Sequence, residues 1–508
     1  MKAWLCALSL VLLGGCALPP LEGRSISVAA PPTETASSRL GQALQPRIAA
    51  HPAQSGMLAL SDPQAAFAAR SLIAQAADKT LDVQYYIWHR DTTGLLLLES
   101  LCDAADRGVR VRLLVDDNGI PDLDDLLVAL SAHRNIEVRL FNPFPVRSFK
   151  PLGYLTQFSR ANRRMHSKSF TADNQVTIIG GRNIADEYFA ASEGIEFADL
   201  DVLAIGTVVR EVSEEFDQYW ASASAYPIER LVASRGSGSQ DPMQAVAAVK
   251  DAPAAARYLT AVNESQVVKD LVADRSALQW SRVRMISDDP AKGLGQAEDK
   301  DLMLTDIGQA IRQARRHVDI VSPYFVPTEA GVTAFRELTS RQVRVRVLTN
   351  ALESTDVMAV HAGYAKRRKA LLQAGVELFE LRRAAGSQAP QSSVRFGSSG
   401  ASLHAKTFAV DDEVMFIGSF NFDPRSARLN TELGFLIDSP TFAKGLSSAF
   451  DTVIPQHAYE VRLSPAGELY WLEWQDGKSI RHDTEPGTGP FERFGVDLLS
   501  VLPIEWLL

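Results

Sequence analysis

One order of residues occurs twice in this chain. It reads His404-Ala405-Lys406, Asp411, Gly418-Ser419, Asn421 and Glu432, and earlier His166-Ser167-Lys168, Asp173, Gly180-Gly181, Asn183 and Asp199. From the His to the Asn the two copies keep the same spacing, and only the final acid is displaced, by five residues. A lone His-x-Lys pair is common on protein surfaces. A full set repeated in type and in distance is a strong signal, and it demands a fold that can be built twice.

The repeat is wider than the polar residues. LDVQYYIW (81–88), a helical run over 94–105 and RGVRVRLLV (107–115) are echoed by VDIVSPYF (318–325), a helical run over 328–339 and RQVRVRVLT (341–349). Each half then carries a β-hairpin with the His, a glycine turn, a helix and a strand, LDVLAI (200–205) or LGFLID (433–438). This alternation predicts an α/β fold of two tandem domains related by a pseudo-two-fold, with parallel or mixed sheets flanked by helices. The expected domains are 56–233 and 243–460, joined by the linker SRGSGSQDP (234–242). A hairpin and an amphipathic tail follow over 461–508.

The repeated residue types fit attack on a phosphodiester. A neutral imidazole can attack phosphorus and a protonated one can protonate the departing oxygen, so one His from each copy serves a single site. Lys168 and Lys406, on the same strand face as their His, can hold the non-bridging oxygens. Asn183 and Asn421 are candidates to donate to the same oxygens. Asp199 and Glu432 are candidates to bind each ring's second nitrogen. The catalytic pattern thus runs His166, Lys168, Asp173 and His404, Lys406, Asp411. Within it Asp173 and Asp411 precede Asn174 and Asp412 between β-rich runs, so turn chemistry assigns them to support. Gly180, Gly181, Gly418, Ser419, Arg425 and Ser426 are read as supporting residues. Lys and Asn supply the electrophilic side, so no metal and no cofactor is required.

This pattern resembles the two-motif phospholipase D superfamily, and the run Asn421-Phe-Asp-Pro-Arg425-Ser426 followed by Asn430 and Glu432 resembles its second motif. The finer resemblance is to bacterial cardiolipin synthases of the C type. It rests on LDVQYYIW, RLFNPF (139–144), RRMHSKSF (163–170), SDDPAK (287–292), HAGYAKRRK (361–369), GSFNFDPRS (418–426) and LPIEWLL (502–508). The resemblance implies one active site where the halves meet and a phosphatidyltransferase making cardiolipin through a phosphatidyl-histidine. It implies His166 as nucleophile and His404 as acid and then base; near-symmetry leaves the reverse open. Phosphatidylglycerol or phosphatidylethanolamine can be the donor. A hydrolase releasing phosphatidic acid, a nucleic-acid phosphodiesterase and a lipid-binding envelope protein remain as alternatives. A net charge of −9 without a basic tail speaks against a general nucleic-acid partner.

The chain opens with Met-Lys, an apolar run to Leu13 and Leu13-Gly14-Gly15-Cys16. This reads as a secretory signal over 1–15, too short to span a bilayer. The stretch resembles a bacterial lipobox with Cys16 lipidated, which implies anchoring in the cell envelope on the periplasmic side, at the outer or the inner membrane. Residues 16–55, rich in Pro, Ala and Ser, read as a disordered tether. Of the three cysteines only Cys102 lies in the body, which excludes a disulfide framework there. The helix predicted over 354–375 carries Lys366, Arg367, Arg368 and Lys369, either a solvated face or a contact for anionic head groups. The Gly/Ser-rich stretch 386–402 reads as a loop at the site mouth. The expected partners are phospholipids and a membrane surface, and the active unit is a monomer.

Overall fold

The computed structural model describes residues 18–147, 149–190, 196–233, 243–273, 275, 278–383, 401–475 and 477–508. The expected signal with Cys16, the linker 234–242 and most of the stretch 386–402 lie outside these residues. Two mixed sheets form the body. The first runs, edge to edge, Gln279–Ser281, Ser55–Leu60, Asp201–Gly206, Val176–Gly180, Ser169–Ala172, Thr80–Ile87, Arg110–Gly119, Ile136–Phe141 and Ala225–Pro227. The second runs Val283–Ser287, Leu433–Asp438, Val414–Gly418, Lys406–Val410, His317–Val321, Arg344–Asn350, Val376–Leu381, Ala458–Leu463, Leu469–Gln475 and Lys478–His482. The same order of equivalent strands recurs in both, with three parallel strands side by side in each.

The duplication reaches into the buried charges. Asp82 and Arg112 face each other on neighbouring parallel strands and pair through two of the three guanidinium nitrogens at 2.7 and 2.8 Å. Asp319 and Arg346 repeat the pair at 2.5 and 2.7 Å. A helical acid joins each, Asp217 or Asp451, and Phe216 or Phe450 covers the guanidinium. Losing one member of such a pair leaves a buried charge uncompensated, at a cost of about 3–5 kcal/mol.

The inner faces of the sheets share one apolar cluster. It brings Met57, Ile179 and Val202 of the first half against Leu403, Ile417 and Phe435 of the second. Separate cores lie beneath helices on the outer faces. Val208, Val212, Phe216 and Trp220 of the helix Thr207–Ala221 are buried, as their spacing predicts. Cys102 is half-buried and packs on the first core.

Four sequence expectations are corrected here. From Leu18 the expected tether is ordered on the body. Buried Arg139 and Arg112 need acceptors, and the carbonyls of Ser25 and Ser27 supply them at 2.6 and 2.9 Å. Ser38 then caps the helix Arg39–Ala50, which buries Leu40 and Leu44. Second, residues 243–281 belong with the first half. Val246, Tyr258 and Leu271 enter its core, and Gln279–Ser281 pairs with Ser55–Met57, so the chain crosses over at Arg282. Third, the hairpin Leu469–Gln475 and Lys478–His482 extends the second sheet rather than standing apart. Fourth, the basic run on the helix Met358–Gln373 is divided. Arg368 is buried between Glu380 and Glu485, Arg367 pairs with Glu505, and only Lys366 and Lys369 face solvent. His361 is buried against Glu485.

Glu215, on the helix Thr207–Ala221, is buried, and burial pushes its carboxyl from 4.5 up to about 8. The folded protein keeps a proton that the unfolded chain releases. The stability this contributes is full below pH 4.5 and is lost as pH rises through about 8. Glu215→Gln mimics the protonated acid and removes the dependence. The variant is expected to melt with the wild type at low pH and a few degrees above it at pH 8.5. Melting curves at both pH values check this, and an offset that does not change with pH refutes the buried proton.

Candidate active site

The histidines sit at the start of matched hairpins and Asp173 and Asp411 at the far ends. Asp173-Asn174 and Asp411-Asp412 all have φ between 51° and 58°, the left-handed pair that a tight hairpin turn requires. The Asp173 carboxylate accepts from the backbone N–H groups of Asp78, Lys79 and Thr80 at 2.7–3.2 Å. Asp411 accepts from Arg315, Arg316 and His317 at 2.7–3.0 Å. Each acid therefore ties its hairpin to the start of the neighbouring strand.

At the near ends the two halves exchange segments. The His166 N–H donates to the Thr431 carbonyl at 2.8 Å, and the Thr431 N–H to Arg164 at 2.9 Å. In the other direction Ala401–Leu403 pairs in parallel with Glu196–Ala198, and the His404 N–H donates to Ala198 at 2.9 Å. The residue after each exchange is an acid, so the pairs cross. Glu432 of the second half lies 2.7 Å from Nδ1 of His166, and Asp199 of the first lies 2.6 Å from Nδ1 of His404. A Cβ on Gly180 or Gly181 would meet the carboxylates of Asp201 and Asp199 at 2.2 and 2.1 Å, and one on Gly418 would meet the Leu433 carbonyl at 2.5 Å. These glycines make room for the acid strands.

Glu432 is fastened on every side. Ser419 Oγ and Ser426 Oγ donate to its two oxygens, and its backbone N–H donates to Asp288 at 2.9 Å. Asp288 holds Lys292 at 2.8 Å, and the Lys292 ammonium reaches the Ser426 carbonyl. The SDDPAK run is thus the clamp of the Glu432 segment. Arg425 donates to the carbonyl and side chain of Asn162 and takes up Leu507, joining the halves beside the site.

Ionised carboxylates only accept, so each ring donates from Nδ1 and keeps an unprotonated Nε2. Burial pushes His166 down to about 4 and His404 to about 3, against the opposing pull of the acids. Burial alone would raise Glu432 and Asp199; the rings and lysines hold both below the usual carboxylate range. Burial likewise lowers Lys168 to about 7 and Lys406 to about 8. Lys406 acts on His166 and Lys168 on His404, so the four cationic groups share one electrostatic basin. A phosphodiester anion entering it raises the proton affinity of all four.

The asparagines are not equivalent. Asn183 is committed to the fold, accepting from the Ile87 N–H at 3.2 Å and donating to the Tyr188 hydroxyl at 2.9 Å. This departs from its expected role on phosphate. Asn421 Oδ1 has no protein partner among the described residues. The site also has an aromatic rim absent from the sequence reading. Tyr86 packs edge-on to His166 at 5.0 Å, and Tyr188 and Phe197 pack against His404 at 5.1 and 4.9 Å. Tyr324 completes the rim and donates to Asp356 at 2.6 Å. Tyr86 and Tyr324 stand in the echoed strands at the same offset as the histidines, which is the signal that marks them.

The model of the family described as cardiolipin synthase, phospholipase D-like domain, matches residues 70–220 and again 307–454. The chain belongs to this phospholipase D-like family. Each match contains one His-x-Lys hairpin. Among the family's named proteins, Cardiolipin synthase C of Escherichia coli strain K12 is 46% identical over 472 residues, covering 92% of this chain and 100% of that protein. Cardiolipin synthase A of Pseudomonas entomophila strain L48 is 28% identical over 399 residues, covering 77% and 68% of the two chains. The crystal structure of the phosphatidylserine synthase of Haemophilus influenzae Rd KW20 shares the fold. It has a TM-score of 0.57 at 15% identity, covering 93% of this chain and 100% of that one.

Proposed function

We propose that the protein is a phosphatidyltransferase that makes cardiolipin from phosphatidylglycerol and a second phospholipid, phosphatidylglycerol or phosphatidylethanolamine. The observation that carries this reading is the crossed pair of His–acid contacts, which leaves Nε2 of both rings unprotonated beside Lys168 and Lys406. Nε2 of His166 attacks the donor phosphorus. The bond to the head-group oxygen breaks, and that oxygen takes a proton from His404, whose proton affinity the bound anion has raised. Lys168 and Lys406 hold the non-bridging oxygens as charge gathers there, with Asn421 as a further donor. His404 then takes the proton from a hydroxyl of phosphatidylglycerol. That oxygen attacks phosphorus, the P–N bond breaks and His166 is restored.

Both halves of the site lie in one chain, which supports a monomeric active unit. Among the described residues no helix is long and apolar enough to cross a membrane. Cys16 is the proposed lipid anchor, holding the body at a membrane surface on the periplasmic side.

Product analysis tests the reading. The protein is incubated with phosphatidylglycerol vesicles, with and without phosphatidylethanolamine, beside a His404→Ala control. Cardiolipin is the expected product, and its dependence on the second lipid names the donor. Phosphatidic acid alone makes the protein a hydrolase, and no lipid product refutes the substrate class.

A further inference from the structure

The helix Pro490–Ser500 has two apolar sides, and only one is used by the body. Val496 and Leu499 pack against Leu352 and Ala362. Phe491, Phe494, Leu498 and Val501 recur at helical spacing on another side and face solvent, at 89%, 66%, 55% and 74% exposure. A distant segment adds to this face. Phe158 packs edge-on to Trp506 at 6.3 Å, and Leu155, three residues earlier, is 82% exposed. An exposed aromatic and aliphatic surface of this kind marks an interaction site rather than chance exposure.

Two observations indicate what covers it. The face adjoins the reaction centre. Tyr154, beside Leu155, donates to Asn118, Asn118 to the Tyr86 hydroxyl, and Tyr86 packs on His166. Lys366 and Lys369 are exposed on the helix Met358–Gln373, against which Val496 and Leu499 pack, while Glu492 and Asp497 are exposed on the helix that bears the face.

The geometry points to docking of this face on an anionic phospholipid leaflet, with Phe491, Phe494, Val501 and Trp506 entering the acyl boundary and Lys366 and Lys369 on the head groups. The inference rests on the lipid-substrate reading above. Docking of this kind gains from apolar burial and from the attraction of each lysine to an anionic surface. It sets the site entrance at head-group depth, where a phosphodiester is reached without extracting the lipid.

The test uses the full-length protein and the variant Phe491→Asp/Phe494→Asp/Val501→Asp, with two substrates. One is long-chain phosphatidylglycerol in vesicles, the other monomeric dihexanoyl-phosphatidylglycerol. The expected result is a loss of about ten-fold or more on vesicles with unchanged turnover of the short-chain lipid. Brominated phosphatidylglycerol vesicles should quench wild-type tryptophan fluorescence, and Trp506→Phe should remove most of that quenching; a tether elsewhere in the chain does not affect this readout. Vesicle activity that survives the triple substitution overturns the proposal. So does equal loss on both substrates, absence of Trp506-dependent quenching, or a wild-type dimer that the substitutions dissociate. If the wild type converts neither substrate, the substrate reading fails, and the quenching measurement still decides the docking.

Discussion

His166→Ala and His404→Ala each lower cardiolipin formation by about 10⁴-fold or more, and the double substitution costs little beyond either single one. The two rings act on one phosphorus, so removing either leaves the other without a partner step. Their effects cannot add as those of separate sites would. The measurement is the initial rate of cardiolipin release from phosphatidylglycerol vesicles, with circular dichroism to verify that each variant folds. Two single variants that each keep about half the activity would mean two independent sites and would end the shared-site mechanism.

Glu432→Gln and Asp199→Asn are each expected to lower turnover by about 10³–10⁴-fold, with the two acids acting at different steps. Glu432 lies on Nδ1 of His166 and fixes the tautomer that exposes Nε2 for attack. The amide keeps the shape and loses the charge that stabilises the ring once it is cationic. Asp199 does the same for His404. A donor with an acidic leaving group, phosphatidyl-p-nitrophenol, separates the steps because it departs without a proton. Asp199→Asn should still release a burst of p-nitrophenol close to one equivalent, and Glu432→Gln should not. The opposite pattern would exchange the roles of the two rings. Near-normal turnover in Glu432→Gln would remove the acid from the mechanism.

The site was legible in the sequence wherever its chemistry is local. His, Lys, Asp, the glycine pair and Asn keep their spacing because they lie along one hairpin and the turn after it, where distance along the chain is distance in space. The pairing of Glu432 with His166 was not legible. It spans the halves, and either acid satisfies either ring by residue type alone. The aromatic rim lay between the two cases: the echoed strands place Tyr86 and Tyr324 at the histidine offset, but nothing local says that they face a ring. Composition misled at the start of the chain. Residues 18–50 look like a tether, yet a few groups decide: Leu40 and Leu44 for the core, and the Ser25 and Ser27 carbonyls for two buried arginines. The Gly/Ser-rich stretch 234–242 reads as a domain break, while pairing of Gln279–Ser281 with Ser55–Met57 places the crossing some forty residues later. The run Lys366–Lys369 reads as one patch, but on a helix it points in several directions, and Arg368 points inward to Glu380.

The crossed acids also set when the chemistry can begin. Glu432 lies 266 positions beyond His166, and Asp199 lies 205 positions before His404. A growing chain that has completed and folded its first half carries His166 with no carboxylate to fix its tautomer. Reactivity toward lipid therefore appears in one step, when the second sheet closes on the first. Neither half alone holds a complete site, so the chain is inert until it is whole.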